Sequence, residues 1–139
     1  MRVRWEQAAI LLIAAHSVAL GLALLVDPLD TLRLAQWPYA GDLFWPSQAG
    51  LFLLVLGLAY GATLVHRPLV WLIVLSKAVA FLFLAVHALW LGAPRLALAA
   101  GVGDGLMGLV AWVVARRPGA RLGGQALDRE GEADHARMP

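Results

Sequence analysis

Residues 69–91 read LVWLIVLSKAVAFLFLAVHALWL. A bilayer core is about 30 Å thick and a helix rises about 1.5 Å per residue, so about 20 apolar residues cross it. This run is long enough, and Lys77 and His87 are its two ionisable residues. An ionisable side chain at the centre of a membrane helix costs about 2.5–3.5 kcal/mol on insertion scales, so each needs a partner, a polar cavity or a route to the surface. Three further apolar runs of similar length lie at Ala8 to Val26, Ala49 to Val65 and Leu96 to Ala115. The expected fold is therefore an all-α polytopic membrane protein, a bundle of four transmembrane helices.

Composition agrees. Hydrophobic residues make up 61% of the chain and charged residues 14%, with a mean hydropathy of +0.75. A water-facing domain has nearer to about 25% charged residues. The absence of cysteine excludes disulfides, thiolate zinc sites and iron–sulfur clusters. A net charge of +2 with a pI near 9.7 would in a soluble protein invite a nucleic-acid reading. Here the arginines cluster at the ends of apolar runs, so no nucleic-acid partner is expected.

Arg2 and Arg4 precede the first run, His66 and Arg67 separate the second from the third, and Arg116, Arg117 and Arg121 follow the fourth. The opposite side has only Arg33 and Arg95. The positive-inside rule then predicts an N-in/C-in protein, with both termini in the cytoplasm. The same imbalance argues against a dual-topology efflux arrangement. The first run exceeds a signal-peptide core of about 7–15 residues and continues through Leu24, Leu25 and Val26, so it reads as a retained helix.

Between the first two runs lies DPLDTLRLAQWPYAGDLFWP, residues 27–46. Asp27 followed by Pro28 is an N-cap with proline at the first helical position, predicting a short interfacial helix from Pro28 to about Gln36 on the outer side. Trp37, Tyr39 and Trp45, with Pro38 and Pro46, read as an aromatic belt and return turn, with a ligand-gating lid as the alternative. Gly92, Ala93 and Pro94 make a tight turn, so the last two spans must be antiparallel neighbours. Residues 118–139 mix charges with little apolar content and read as a disordered cytoplasmic tail, His135 included. Small residues recur at helix-packing spacing: Gly57 and Gly61, Gly101 and Gly105, and Ala15, Ala19 and Ala23. Such spacings let backbones approach within a bundle or, alternatively, form a dimer seam.

Counted from their span ends, His16 and Lys77 lie about 12 Å below the inner surface and Asp104 about 12 Å below the outer one. His87 falls near the outer boundary. The turn at Ala93 sets Asp104 opposite about Leu82, with Lys77 and His87 each about 7.5 Å away along the axis. A lysine stem covers most of that distance. Asp104 also shares a helix face with Gly101, Gly105 and Gly108, which predicts that it points at protein and pairs with Lys77. Isolated ionised groups tend to neutralise in low dielectric, whereas a close pair can keep both charges.

Three roles remain open for these residues. The pair is a structural staple; or Lys77 snorkels to the headgroups without Asp104; or the pair belongs to a functional site joined by His16, with Ser47, Gln48 and His87 higher up. In the last case Lys77, Asp104 and His16 are the catalytic candidates, suited to proton transfer on a lipid-soluble substrate such as an isoprenoid double-bond or carbonyl shift. The candidate ligand-binding residues are His16, Gln48, Lys77, His87 and Asp104. No metal site is expected, and the cofactor is left unassigned. His16 and His87 differ in depth by about 15 Å, which argues against a shared haem iron. No nucleophile motif, phosphate loop or HExxH pattern occurs.

Four spans, Asp27-Pro28 after the first, Gly57-Leu58-Ala59-Tyr60 in the second, Lys77 in the third and Gly103-Asp104-Gly105 in the fourth together resemble the small DoxX-like bacterial membrane proteins. The resemblance covers residues 5 to 117. It implies a four-helix fold and a pocket for a hydrophobic ligand; some members look like subunits of quinone-linked oxidoreductases, and a related group includes sterol isomerases. This chain lacks the intramembrane glutamate of those isomerases. The functional expectation, from the staple role of the ion pair, is a structural or accessory subunit of a membrane complex. The alternative is a lipid- or quinone-binding protein, or an isomerase-like acid/base enzyme. Its partners would be membrane lipid, a quinone or isoprenoid, or other membrane subunits.

Overall fold

The computed structural model describes residues 5–38 and 41–117, and the regular structure among them is entirely helical. In order these are α1 (Trp5–Val26), α2 (Pro28–Leu34), α3 (Phe44–Ala62), α4 (Val70–Trp90), entered through a 3-10 turn at Arg67–Leu69, and α5 (Arg95–Arg116). Four of them, α1, α3, α4 with its 3-10 turn, and α5, are long and apolar enough to cross a membrane. The expected tail at 118–139, with Arg121 and His135, and also Arg2, Arg4 and Tyr39, lie outside the described residues.

The short α2 is built by local chemistry. The Asp27 carboxylate accepts from the Asp30 amide at 3.1 Å, Pro28 supplies the first residue, and the Thr31 hydroxyl donates to the Asp27 carbonyl at 2.7 Å. The helix stops at Leu34, before the expected Gln36, because Gln36 turns left-handed at φ 56°. The Gln36 amide then donates to the Arg33 carbonyl and the Trp37 amide to the Leu32 carbonyl, both at 2.9 Å. This is the Schellman pattern, with glutamine where glycine is usual.

The second long helix, α3, is displaced relative to expectation. The helix starts at Phe44, not Ala49, because Pro46 lies in its first turn, where a missing N–H costs nothing. Asp42 accepts from the Phe44 amide at 3.0 Å. The helix ends at Ala62, not Val65, as amides 64 and 65 bond three residues back and tighten the chain into a turn. Between α4 and α5 the turn passes through Gly92 at φ 71°, a conformation that a side chain would strain.

The four long helices pack as two antiparallel hairpins, α1 with α3 and α4 with α5. Glycines set both seams. A Cβ on Gly21 would lie 2.7 Å from the Leu54 nitrogen and 2.8 Å from the Gly50 oxygen, and one on Gly57 would lie 2.6 Å from a Val18 methyl. Across the second seam, Gly101 faces Leu84, Gly105 faces the Phe81 ring and Gly108 faces Lys77. Gly61 faces open space. The Ala15, Ala19 and Ala23 series does not pack in the bundle either, since all three are exposed. On the opposite side of α1, Ala14, Ser17 and Gly21 are buried, with Ala14 and Gly21 against Gly57 and Gly50 of α3.

The two hairpins meet over one end of the bundle. Ile10, Ile13, Ala14, Tyr60, Val70, Ile73, Ala111 and Val114 form a single buried cluster. All come from the first half of α1 and α4 and the last half of α3 and α5, which is the end carrying Trp5 and Arg116. Toward the α2 end each hairpin buries mainly its own seam, Gly21 and Gly50 in one, Ala97 and Gly101 in the other. The outer faces are apolar: Leu12 is 73% exposed, Leu58 64% and Leu75 63%.

Candidate functional site

Where the hairpin cores converge, Lys77 of α4 is buried and its ammonium lies 2.6 Å from Asp104 Oδ1 of α5. The side chains are only 5% and 15% exposed. The glycine seam makes this possible. Lys77 Cβ sits opposite Gly108, where a Cβ would approach to 3.2 Å, and Asp104 is four residues away toward the α2 end, about 6 Å along the axis. The lysine stem therefore runs parallel to α5 to reach it. Asp104 Oδ2 accepts no hydrogen bond among the described residues.

Beside the pair lies a hydroxyl network. The Ser76 hydroxyl donates to the Leu72 carbonyl at 2.7 Å, so the Tyr60 hydroxyl is the donor in its 2.6 Å bond to Ser76 Oγ. That bond joins α3 to α4, hence one hairpin to the other. Tyr60 is 2% exposed and within electrostatic range of the Asp104 carboxylate. The Thr63 hydroxyl donates to the Tyr60 carbonyl at 2.7 Å. In the same core Ser17 is buried and its hydroxyl has no partner among the described residues. Residue type predicts that Ser17, Ser76 and Thr63 each bond to a carbonyl of their own helix; Ser76 and Thr63 do so, whereas Ser17 does not. Tyr60 was not singled out as a site residue; its signal was a lone phenol in an apolar run, one turn from the packing glycine Gly57.

The other candidates are not drawn into this cluster. His16 lies on the exposed face of α1 with no hydrogen bond or ion pair to Lys77, Asp104 or any other described residue. His87 Nδ1 is 2.8 Å from the Phe83 carbonyl of its own helix, and its ring lies 4.0 Å from that of Phe83. Gln48 is half-buried in the opening turns of α3, and no hydrogen bond ties it to the pair. The pair thus has hydroxyls, not imidazole, as its polar neighbours. Among the described residues no three His, Asp or Glu side chains converge as metal ligands would.

A second ionic cluster closes the Trp5 and Arg116 end. Arg67 donates to the carbonyls of Val114 and Arg117, each at 3.1 Å, supplying donors and positive charge where a helix C-terminus lacks partners. Glu6 lies 3.6 Å from Arg67 and 3.9 Å from Arg117, and Arg117 stacks over Trp5 at 4.6 Å. Arg67 therefore ties the chain entering α4 to the end of α5 and to α1. On the outer side of α5, Arg116 stacks over Trp112 at 4.2 Å.

Together these features define a class: an all-helical protein with four helices fit to cross a membrane, pinned by a buried ion pair and a phenol–hydroxyl bond. Comparison with protein-family models, with curated proteins and with solved structures found no match.

Proposed function

We propose that the chain is a multi-pass protein of the bacterial cytoplasmic membrane, with both termini inside, serving as a structural or accessory subunit of a membrane complex. One observation carries this reading: the Lys77 ammonium and Asp104 Oδ1, 2.6 Å apart and largely buried, are spent on each other. An ammonium bound in this way is poorly placed to act on a substrate, and His16, the imidazole an acid/base site would use, stands on the exposed face of α1. The staple sets the register of α4 against α5, and a small bundle with apolar outer faces is suited to packing beside larger membrane subunits. The likeness to DoxX-like proteins fits this role.

The free Asp104 Oδ2 favours a second reading, in which a lipid or quinone bearing a hydrogen-bond donor binds at the carboxylate. One experiment separates the two. Lys77→Met combined with Asp104→Leu removes both charges while keeping the length of the lysine stem and the branching of the carboxylate. A subunit role predicts that the double variant folds and still supports the host function; retained folding with lost function would turn the assignment to the ligand reading. Topology is tested on the naturally cysteine-free chain. Cysteines at Asp30 or Arg95 should react with an impermeant maleimide in intact cells, and one at Pro68 should not. The opposite pattern overturns N-in/C-in.

A further inference from the structure

Along the outer side of the α4/α5 seam runs an apolar groove of about 570 Å³. Val74, Ala78 and Phe81 form one wall, Val102, Leu109 and Trp112 the other, and the backbone of Gly105 and Gly108 forms part of its lining. Its volume falls within the range of about 300–1,000 Å³ usual for small-ligand sites. From Val102 to Trp112 the groove extends about 15 Å along α5, half of a hydrocarbon core about 30 Å thick. It therefore has the reach of one leaflet, and its lining is almost wholly hydrocarbon.

The Trp112 end is different in kind. There Arg116 lies over the indole at 4.2 Å. The two other arginines at this end of the bundle, Arg67 and Arg117, share Glu6, but Arg116 has no acidic partner among the described residues. Stacking fixes the guanidinium without consuming its hydrogen-bond donors, which present a planar fork suited to phosphate. A tryptophan with an arginine beyond it is also the usual arrangement at the headgroup level of a membrane. An apolar channel of leaflet length, ending in an uncompensated cation that is held in place, matches a molecule with a long chain and an anionic head.

We propose that this groove is a binding site for an anionic phospholipid of the phosphatidylglycerol kind. One acyl chain lies over Gly105 and Gly108 between the Phe81 and Leu109 walls, and the phosphate is held by Arg116. The proposal rests on the membrane reading above and is independent of whether the Lys77–Asp104 pair is a staple or a ligand site. It concerns the outer surface of the hairpin, where Gly105 and Gly108 contribute no side chain to the lining of the groove.

The test reconstitutes the full-length protein into vesicles of equal phosphatidylglycerol and phosphatidylcholine, extracts it into mild detergent and weighs it intact. A basic residue near an anionic surface is worth about 1 kcal/mol, or about a fivefold preference. The expected result is one retained phospholipid per chain with phosphatidylglycerol favoured about fivefold. Arg116→Gln should reduce the preference to near unity while a lipid is still retained, and Arg116→Lys should keep part of it. Ala78→Phe, at an exposed position in the groove, should abolish retention, as should Val102→Trp at its far end. Circular dichroism of each variant confirms that the helices are intact.

Equal retention of the two lipids by wild type, an undiminished preference in Arg116→Gln, or retained lipid in both filled variants would each overturn the proposal. So would a dimer mass lost on filling the groove, which would give the surface to a second copy of the chain. Flotation separates the levels of failure. A protein that enters vesicles without lipid preference loses only this site; one that does not enter them loses the membrane reading as well.

Discussion

Removing one member of the Lys77–Asp104 pair should cost far more than removing both. In Asp104→Leu the Lys77 ammonium, its side chain 5% exposed, keeps its place opposite Gly108 but loses the acceptor 2.6 Å away. Stranding a buried charge in this way costs about 3–5 kcal/mol. Asp104→Asn retains an oxygen acceptor and should cost less, about 2 kcal/mol, in keeping with loss of a charge-assisted hydrogen bond. Lys77→Met leaves a carboxylate that is 15% exposed and can relax toward that opening, so its cost should fall below that of Asp104→Leu. The Lys77→Met/Asp104→Leu double variant replaces the pair by apolar groups, the larger leucine relaxing toward the opening that leaves Asp104 15% exposed, and should fall within about 1 kcal/mol of wild type. The implied coupling is at least about 2 kcal/mol. Reversible unfolding in mixed micelles, followed by tryptophan fluorescence across the four proteins of the cycle, measures it. Singles within about 0.5 kcal/mol of wild type, or a double variant equal to their sum, would refute the staple.

Tyr60→Phe removes the bond to Ser76 but leaves Ser76 its own carbonyl partner, so a loss of about 1 kcal/mol is expected in the same unfolding assay. Tyr60→Ala should lose about 3–5 kcal/mol through the cavity it leaves. Gly21→Ala presses a methyl against backbone atoms of Leu54 and Gly50 and should separate α1 from α3, read as lost crosslinking between cysteines placed on the two helices. Gly61→Ala meets nothing and should stabilise by up to about 1 kcal/mol through helix propensity, with unchanged crosslinking. Arg67→Met removes the donors to the Val114 and Arg117 carbonyls, so amide exchange in the last turn of α5 should speed up by about tenfold while the middle of α5 is unaffected.

The architecture was legible because its cause is local. A helix in an apolar solvent must satisfy its own backbone, so run length and hydropathy are enough to locate spans, and all four apolar runs became helices. Caps were legible for the same reason: Asp27-Pro28 started α2 as its chemistry requires. The limits were also local. Gln36 ended α2 by a left-handed turn that no residue preference announced, and Pro46 entered a helix as readily as it could have closed a turn. Joining Lys77 to Asp104 was within reach as well, because a short turn at Gly92 fixes the register of the two helices it connects.

Residues brought together across longer stretches of chain depended on tertiary structure alone. Depth along a span follows from counting residues, so His16 and Lys77 could be set at one level; facing direction depends on which side of α1 packs, and both sides offered small residues. Gly21 chose the side, because its backbone meets that of Gly50 more closely than any alanine would allow. That choice turned Ala14 and Ser17 inward and left His16, with Ala15, Ala19 and Ala23, outside. Tyr60 and Ser76 met, and Arg67 found the end of α5, only when the two hairpins docked. By itself the sequence determined four apolar helices and the one ion pair that a tight turn enforces. Tertiary packing decided the company that pair keeps, since the rotation of a helix about its axis is set by contacts distant in sequence.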